Sequence, residues 1–233
     1  MPSPTGRPTG HSSGSPPTGR SFGVRPSGVD AERGGAHPVL PGLLTGGTGP
    51  QWRDGVLLRQ VDGTTCGPTV LTVLAAATEP GWFDTGPDGT GERFGDRFGA
   101  AQKLVHRQAN RWWPRFVGTT PFGLLQWLHR HAPAAGRYRL SWVDDTSSAD
   151  LTGAFDAVTT AVRAGRPVPV MVGTWLPRHW VLAIGEAGPG WRVYEPSSGE
   201  VRVLDPELLR ERRAGPVLGW PRLHAALLPD PAG

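Results

Sequence analysis

The residues best suited to chemistry lie in one short stretch, Gln60-Val61-Asp62-Gly63-Thr64-Thr65-Cys66-Gly67-Pro68-Thr69. Cys66 is the single cysteine of the chain and stands in the first turn of a helix that the residues after it predict. A helix start presents N–H groups without intrahelical partners and the positive end of the macrodipole. Both favour the thiolate, which is the attacking form of cysteine. Gly67 leaves room for a substrate to reach the sulfur. Gln60, on a turn-rich loop before the helix, carries an amide that can aim an N–H at the point served by the Cys66 backbone N–H. Two donors converging on one oxygen make an oxyanion hole.

A thiol nucleophile needs a base. Of seven histidines, His11 and His37 fall in an N-terminal tail, and His106, His129 and His131 fall on predicted helices among arginines, where a surface position is expected. His224 lies in the last predicted strand. His179 opens the apolar run His-Trp-Val-Leu-Ala-Ile-Gly. A strand edge of that kind holds an imidazole rigidly, as base catalysis requires. The next strand ends in Val193-Tyr194-Glu195-Pro196, and the turn Gly188-Pro189-Gly190 would make the two strands antiparallel neighbours. Glu195 would then accept from Nδ1–H of His179, fixing the tautomer and stabilising the imidazolium. Trp175 and Trp180 flank the histidine, either as walls of a cleft or as core packing. Asp62 is expected to cap the turn before the helix.

The elements that must position these groups can be read from periodicity. Residues 66–78 predict a helix with Pro68 in its first turn, where the missing N–H costs nothing, and with Val70, Val73, Leu74 and Ala77 on one buried face. Residues 92–112 predict a second helix, with Phe94, Phe98, Ala101, Leu104, Val105 and Trp112 on one side. Thr120-Pro121 opens a third as N-cap and first residue. Residues 149–164 predict a fourth, closed by Gly165. Short β-type runs occupy 137–143, 167–173, 179–185, 191–195 and 200–204, with a last strand within 218–228 and a helical turn or two at 206–213. The fold class expected is α+β, a helical N-terminal half followed by a largely antiparallel sheet. A disordered Pro/Gly/Ser-rich tail is expected over residues 1–50, its short apolar run at 39–44 either loosely ordered or docked on the domain or a partner, and one folded domain over 51–229.

Composition narrows the function. The chain has 233 residues, 34 Gly and 25 Pro, and a net charge of +4. Lys103 is the sole lysine, so the basic character is almost entirely arginine, the signature of a GC-rich bacterial genome more than of a nucleic-acid surface. One cysteine excludes an intrachain disulfide and a multi-cysteine zinc site. His129 and His131, two apart on a helix, cannot face one metal. No cofactor and no metal are expected. No apolar run reaches the length of a membrane span, and the N-terminus lacks a secretory signal, so a cytoplasmic location is expected. Expected partners are a peptide or small-protein substrate, no nucleic acid and no membrane, with the tail open to an unknown partner.

Gln60, Cys66-Gly67-Pro68, the distant His179-Trp-Val strand and the Tyr194-Glu195-Pro196 strand together resemble the papain-like cysteine peptidases. Within them the pattern is most similar to the bacterial branch of double-glycine leader peptidases, which process bacteriocin precursors. The resemblance covers roughly residues 56–228. It implies Cys66 as nucleophile, His179 as general base and Gln60 as oxyanion donor. Glu195 departs from the Asp usual before the proline. Two other readings remain open: an amidase or acyltransferase using the same triad on a non-protein amide, and a non-catalytic peptide-binding module on a peptidase fold.

Overall fold

The computed structural model describes residues 42–45, 47–79, 82, 93–110 and 118–230. Most of the expected tail, the loop at 84–91 and the C-terminal end of the second helix, with Trp112, lie outside the described residues.

The fold is α+β. The first strands are short: β1 (Gly49–Pro50), β2 (Trp52–Arg53) and β3 (Val56–Leu57), the last two forming a small hairpin. The helices α1 (Cys66–Thr78), α2 (Phe94–Ala109) and α3 (Pro121–His131) follow. Then come β4 (Tyr138–Trp142), α4 (Ser148–Arg163), β5 (Val168–Gly173), β6 (Pro177–Ala187), β7 (Gly190–Glu195) and β8 (Glu200–Leu204). Two one-turn helices, α5 (Glu207–Arg210) and α6 (Gly215–Leu218), lead into β9 (Arg222–Pro229). Seven strands form one antiparallel sheet in the order β1-β8-β7-β6-β5-β9-β4.

Local chemistry explains where elements begin and end. The Thr120 hydroxyl accepts from the Gly123 N–H at 3.1 Å and Pro121 takes the first position of α3. The Ser147 hydroxyl accepts from the Asp150 N–H at 3.2 Å at the start of α4. Gly165, at φ +71°, turns the chain out of α4 in a conformation that a side chain would strain.

The sheet is covered on both faces, so the interior strand β5 is buried at every position and reads as a continuous apolar run. On one face Val168, Val170 and Val172 join Leu151, Phe155 and Val158 of α4. On the other, Met171, Trp180, Leu182 and Ile184 join Val70, Leu71 and Leu74 of α1. The sequence pattern gave α1 one buried face; in the fold it is enclosed on all sides, with every residue from Cys66 to Ala77 buried. The sheet lies on one side of it and α2 and α3 on others. Leu43 and Leu44 belong to the same core, and the backbone of Gly42 passes so close to Ala76 and Ala77 that a Cβ there would lie 2.8 Å from the Ala77 Cα. The packed part of the chain therefore reaches back before Gln51, and 42–44 is not a loose stretch. Each fully buried Leu or Val in this layer contributes about 1.5–3 kcal/mol.

Candidate active site

Cys66 is the first residue of α1 and is 5% exposed. Its position follows from the turn before it. The Asp62 carboxylate accepts from the Thr64 N–H and hydroxyl, both at 2.8 Å, while the Asp62 N–H donates to the Thr65 hydroxyl at 3.2 Å. Asp62 thus caps this turn; burial works against its charge, but the bonds from Thr64 and Thr65 outweigh that and lower its pKa. The turn ends by releasing the chain into a helix whose first N–H groups have no partner in the helix.

His179 sits near the start of β6, paired with Val172 of β5, and is 6% exposed. The β6–β7 register pairs Leu182 with Tyr194. Carried on by one residue, it sets Glu195 opposite Val181, diagonal to His179 on the same side of the strands. Diagonal neighbours of this kind stand within reach of long side chains. The His179 Nε2 and Glu195 Oε1 are 2.7 Å apart, and Glu195 is 4% exposed. The sequence reading gave this contact to Nδ1; the structure gives it to Nε2. With Nε2 on the carboxylate, Nδ1 is the ring nitrogen left for the other neighbour, Cys66, which lies close enough to raise the pKa of His179.

The electrostatics of the three groups are consistent. Burial disfavours charge on His179, but the bonds and charges of Cys66 and Glu195 outweigh it and raise its pKa to about 9. Burial also disfavours charge on Glu195. The His179 contact and the N–H groups of Ser197 and Ser198, each 2.8 Å from a carboxylate oxygen, outweigh it and hold the carboxyl at about 2. A charged imidazole between a sulfur and a carboxylate is the resulting state near neutral pH. The longer Glu side chain has not prevented the contact.

Gln60 is half-buried beside this array. Its Nε2 donates to the Asp62 carbonyl at 2.7 Å, and its Oε1 accepts from the Ser197 hydroxyl at 3.2 Å. One of its two amide hydrogens is thus engaged within the turn, and the second remains for another acceptor. The Gln60 N–H donates to the Pro196 carbonyl at 2.7 Å, tying this loop to the strand that carries Glu195.

Cys66 opens onto a cleft of about 530 Å³ lined by Gly63, Thr64, Gly118, Leu176, Pro177, Arg178 and Trp220. Of the two tryptophans singled out by sequence, Trp180 is core: its Nε1 donates to the Thr119 carbonyl at 3.2 Å and its ring packs beneath Gly67. Trp175 is 79% exposed and stacks on the Arg222 guanidinium at 3.8 Å. The ring beside the histidine is Trp220, its centroid 6.4 Å from that of His179. Sequence reasoning missed it because Trp220 sits between α6 and β9, and only the pairing of β9 with β5 brings it there. The described walls come from the turn before α1, the approach to α3 at Gly118, the start of β6 and Trp220.

Among the other histidines, His106 is 8% exposed and so is not the surface residue expected. His129 contacts the Tyr138 carbonyl at 2.9 Å, and His224 the Thr174 carbonyl at 3.0 Å. Neither belongs to the cleft.

No family model matches the chain, and no curated protein does. Two solved structures are similar to it. One is the peptidase domain of Streptococcus ComA, a bifunctional ABC transporter of a quorum-sensing pathway, at 18% identity and a TM-score of 0.40, covering 74% of this chain and 97% of that one. The other is a double-glycine motif protease from an AMS/PCAT transporter in complex with a leader peptide, at 11% identity and a TM-score of 0.41, covering 73% of this chain and 86% of that one. At that degree of likeness, function rests on this chain's own side chains.

Proposed function

We propose that this protein is a cysteine peptidase that cleaves a peptide bond by acyl transfer, with Cys66 as nucleophile, His179 as acid and base, Glu195 as the group that orients His179, and Gln60 as an oxyanion donor. The observation that carries the reading is the buried His179–Glu195 pair, with Nε2 2.7 Å from the carboxylate, beside a Cys66 near enough to raise the pKa of the ring.

The sulfur attacks the carbonyl carbon of the scissile amide, and the oxygen takes up the charge. The Cys66 N–H and the second amide hydrogen of Gln60 are the donors available to it. His179, charged below about 9, gives its proton to the departing amine as the C–N bond breaks. The ring, now neutral, takes a proton from water, whose oxygen attacks the thioester; the C–S bond breaks, the acid leaves, and the sulfur remains as thiolate beside the recharged ring. Glu195 keeps the ring orientation constant through both steps and stabilises its charged form. The open cleft at Cys66, whose described walls are mostly Gly, Leu, Pro and Trp with Arg178 as their one charged side chain, suits an extended peptide better than a small polar amide.

The test is labelling followed by cleavage. Because Cys66 is the chain's single cysteine, iodoacetamide reports on it alone. Rapid alkylation near pH 7, at least tenfold slower in His179→Ala, is expected. A mixed peptide library should be cut by the wild-type protein and not by Cys66→Ala. Alkylation no faster than that of a free thiol would overturn the reading in favour of a binding module. Alkylation without peptide cleavage would redirect it to a non-protein amide.

A further inference from the structure

Gln102 lies on α2, outside the cleft, and is fully buried at 0% exposure. A buried amide is costly unless its polar atoms are paired. Its pairing falls on either side of Gln60. The Gln102 Oε1 accepts from the Val61 N–H at 2.9 Å, and the Gln102 Nε2 donates to the Arg59 carbonyl at 3.2 Å. The same Oε1 lies 2.8 Å from the Thr69 Oγ1, whose single proton it shares with the Thr65 carbonyl oxygen, 2.7 Å from that Oγ1. One side chain thus grips the peptide units flanking Gln60 and ties them to the first turn of the helix that begins with Cys66.

Resting on the peptidase reading, we propose that Gln102 is a positioning residue: it sets the distance between the Gln60 amide and the Cys66 N–H, and so builds the oxyanion hole without touching substrate. The physical reason is geometric. Gln60 is held from the other side by the Pro196 carbonyl and the Ser197 hydroxyl, both on the strand half of the site. Without Gln102, the peptide units on either side of Gln60 would be held only by Pro196 and Ser197 and would be free to shift against the start of α1. A donor displaced by a fraction of an ångström loses much of its effect on a transition state. Cys66, His179 and Glu195 take no hydrogen bond from Gln102, so alkylation would not feel the change.

Two reagents separate these consequences. Alkylation by iodoacetamide breaks a C–I bond as the S–C bond forms and develops no oxyanion. Acylation by p-nitrophenyl acetate forms a tetrahedral oxyanion before p-nitrophenolate leaves with the bonding pair. Gln102→Met keeps length and helix propensity and removes both polar atoms. It should slow acylation by about tenfold, less than the roughly 10²-fold lost with a donor in amide hydrolysis, and leave alkylation within about twofold. Gln60→Ala should show the same split, and the double variant should be no slower than Gln60→Ala alone, because the two changes remove one interaction. Gln102→Glu, which keeps an oxygen for the Val61 N–H, should recover part of the loss, and it gives the same split of rates if Gln102→Met does not fold. Equal slowing of both reactions, unchanged acylation, or losses that multiply in the double variant would overturn the proposal. A wild-type protein that reacts with neither reagent would instead overturn the peptidase reading itself.

Discussion

On one face of the large sheet, α4 packs Leu151, Phe155, Val158 and Val162 against Val168, Val170 and Val172 of β5. Polar contact is sparse there: Trp191 Nε1 donates to the Thr159 hydroxyl at 2.9 Å, and Arg163 pairs with Glu186 at the surface. On the other face, α1 is no less buried, yet its surroundings include Thr65, Thr69, Gln102 and Thr119, all buried and hydrogen-bonded. Hydrocarbon packing alone would stabilise either face. A buried, hydrogen-bonded polar group adds about 1 kcal/mol net and costs more if it loses its partner. Their concentration around the start of α1 shows that this face is built to hold the loop and the helix start in register, whereas the α4 face holds the sheet together. Substitutions on the two faces should therefore fail in different ways.

The sharpest contrast comes from removing the nucleophile. Cys66→Ala should abolish peptide cleavage, a loss of at least about 10⁴-fold, with little change in melting temperature. Comparable residual turnover would break the contrast. Next, Phe155→Ala on the α4 face should cost about 3–5 kcal/mol in stability by emptying a site that stacks edge-on with Trp191 at 5.7 Å. In the folded fraction the alkylation rate of Cys66 should be unchanged, as chemical denaturation and labelling of the same sample would show.

A third effect is pH-dependent and belongs to the buried His179–Glu195 pair. The folded pKa of His179 lies above the ordinary 6.5, so its contribution to stability is full below pH 6.5 and is lost as pH rises through about 9. Glu195 lies below the ordinary 4.5, so its contribution is present above pH 4.5 and is lost as pH falls through about 2. Both reflect one buried pair, and the loss on either side should be on the order of a few kcal/mol. Peptide cleavage should also decline above about pH 9, where the ring can no longer protonate the leaving amine. Glu195→Gln should flatten both limbs; a stability profile identical to that of the wild type would show the pair to be energetically idle. The smallest effect expected is at Trp220, whose ring shields one side of His179. Trp220→Ala should slow alkylation by a few-fold and Trp220→Phe by less, as the aromatic wall is kept.

Much of this was legible in the chain because it depends on neighbours in sequence. The start of α1 at Cys66 follows from Pro68 and the apolar spacing after it, and the β6–β7 hairpin follows from Gly188-Pro189 between two apolar runs. The hairpin in turn puts Glu195 near His179. Its atomic detail did not follow, because which ring nitrogen meets the carboxylate depends on a side-chain torsion fixed by packing. The enclosure of α1 was hidden for a similar reason: Val, Thr and Ala around a helix read as a one-sided pattern until a sheet, two helices and residues 42–44 close on it.

The amino-acid sequence by itself determined the elements, the α+β class and the identity of the groups able to react, since these rest on local periodicity, turn chemistry and a single cysteine. Tertiary structure alone decided which groups meet: His179 with Cys66, Trp220 with His179, and Gln102 with both sides of Gln60. Those contacts join residues tens to more than a hundred positions apart. No local rule encodes them, because each exists only once the packing of the core has fixed where distant segments lie.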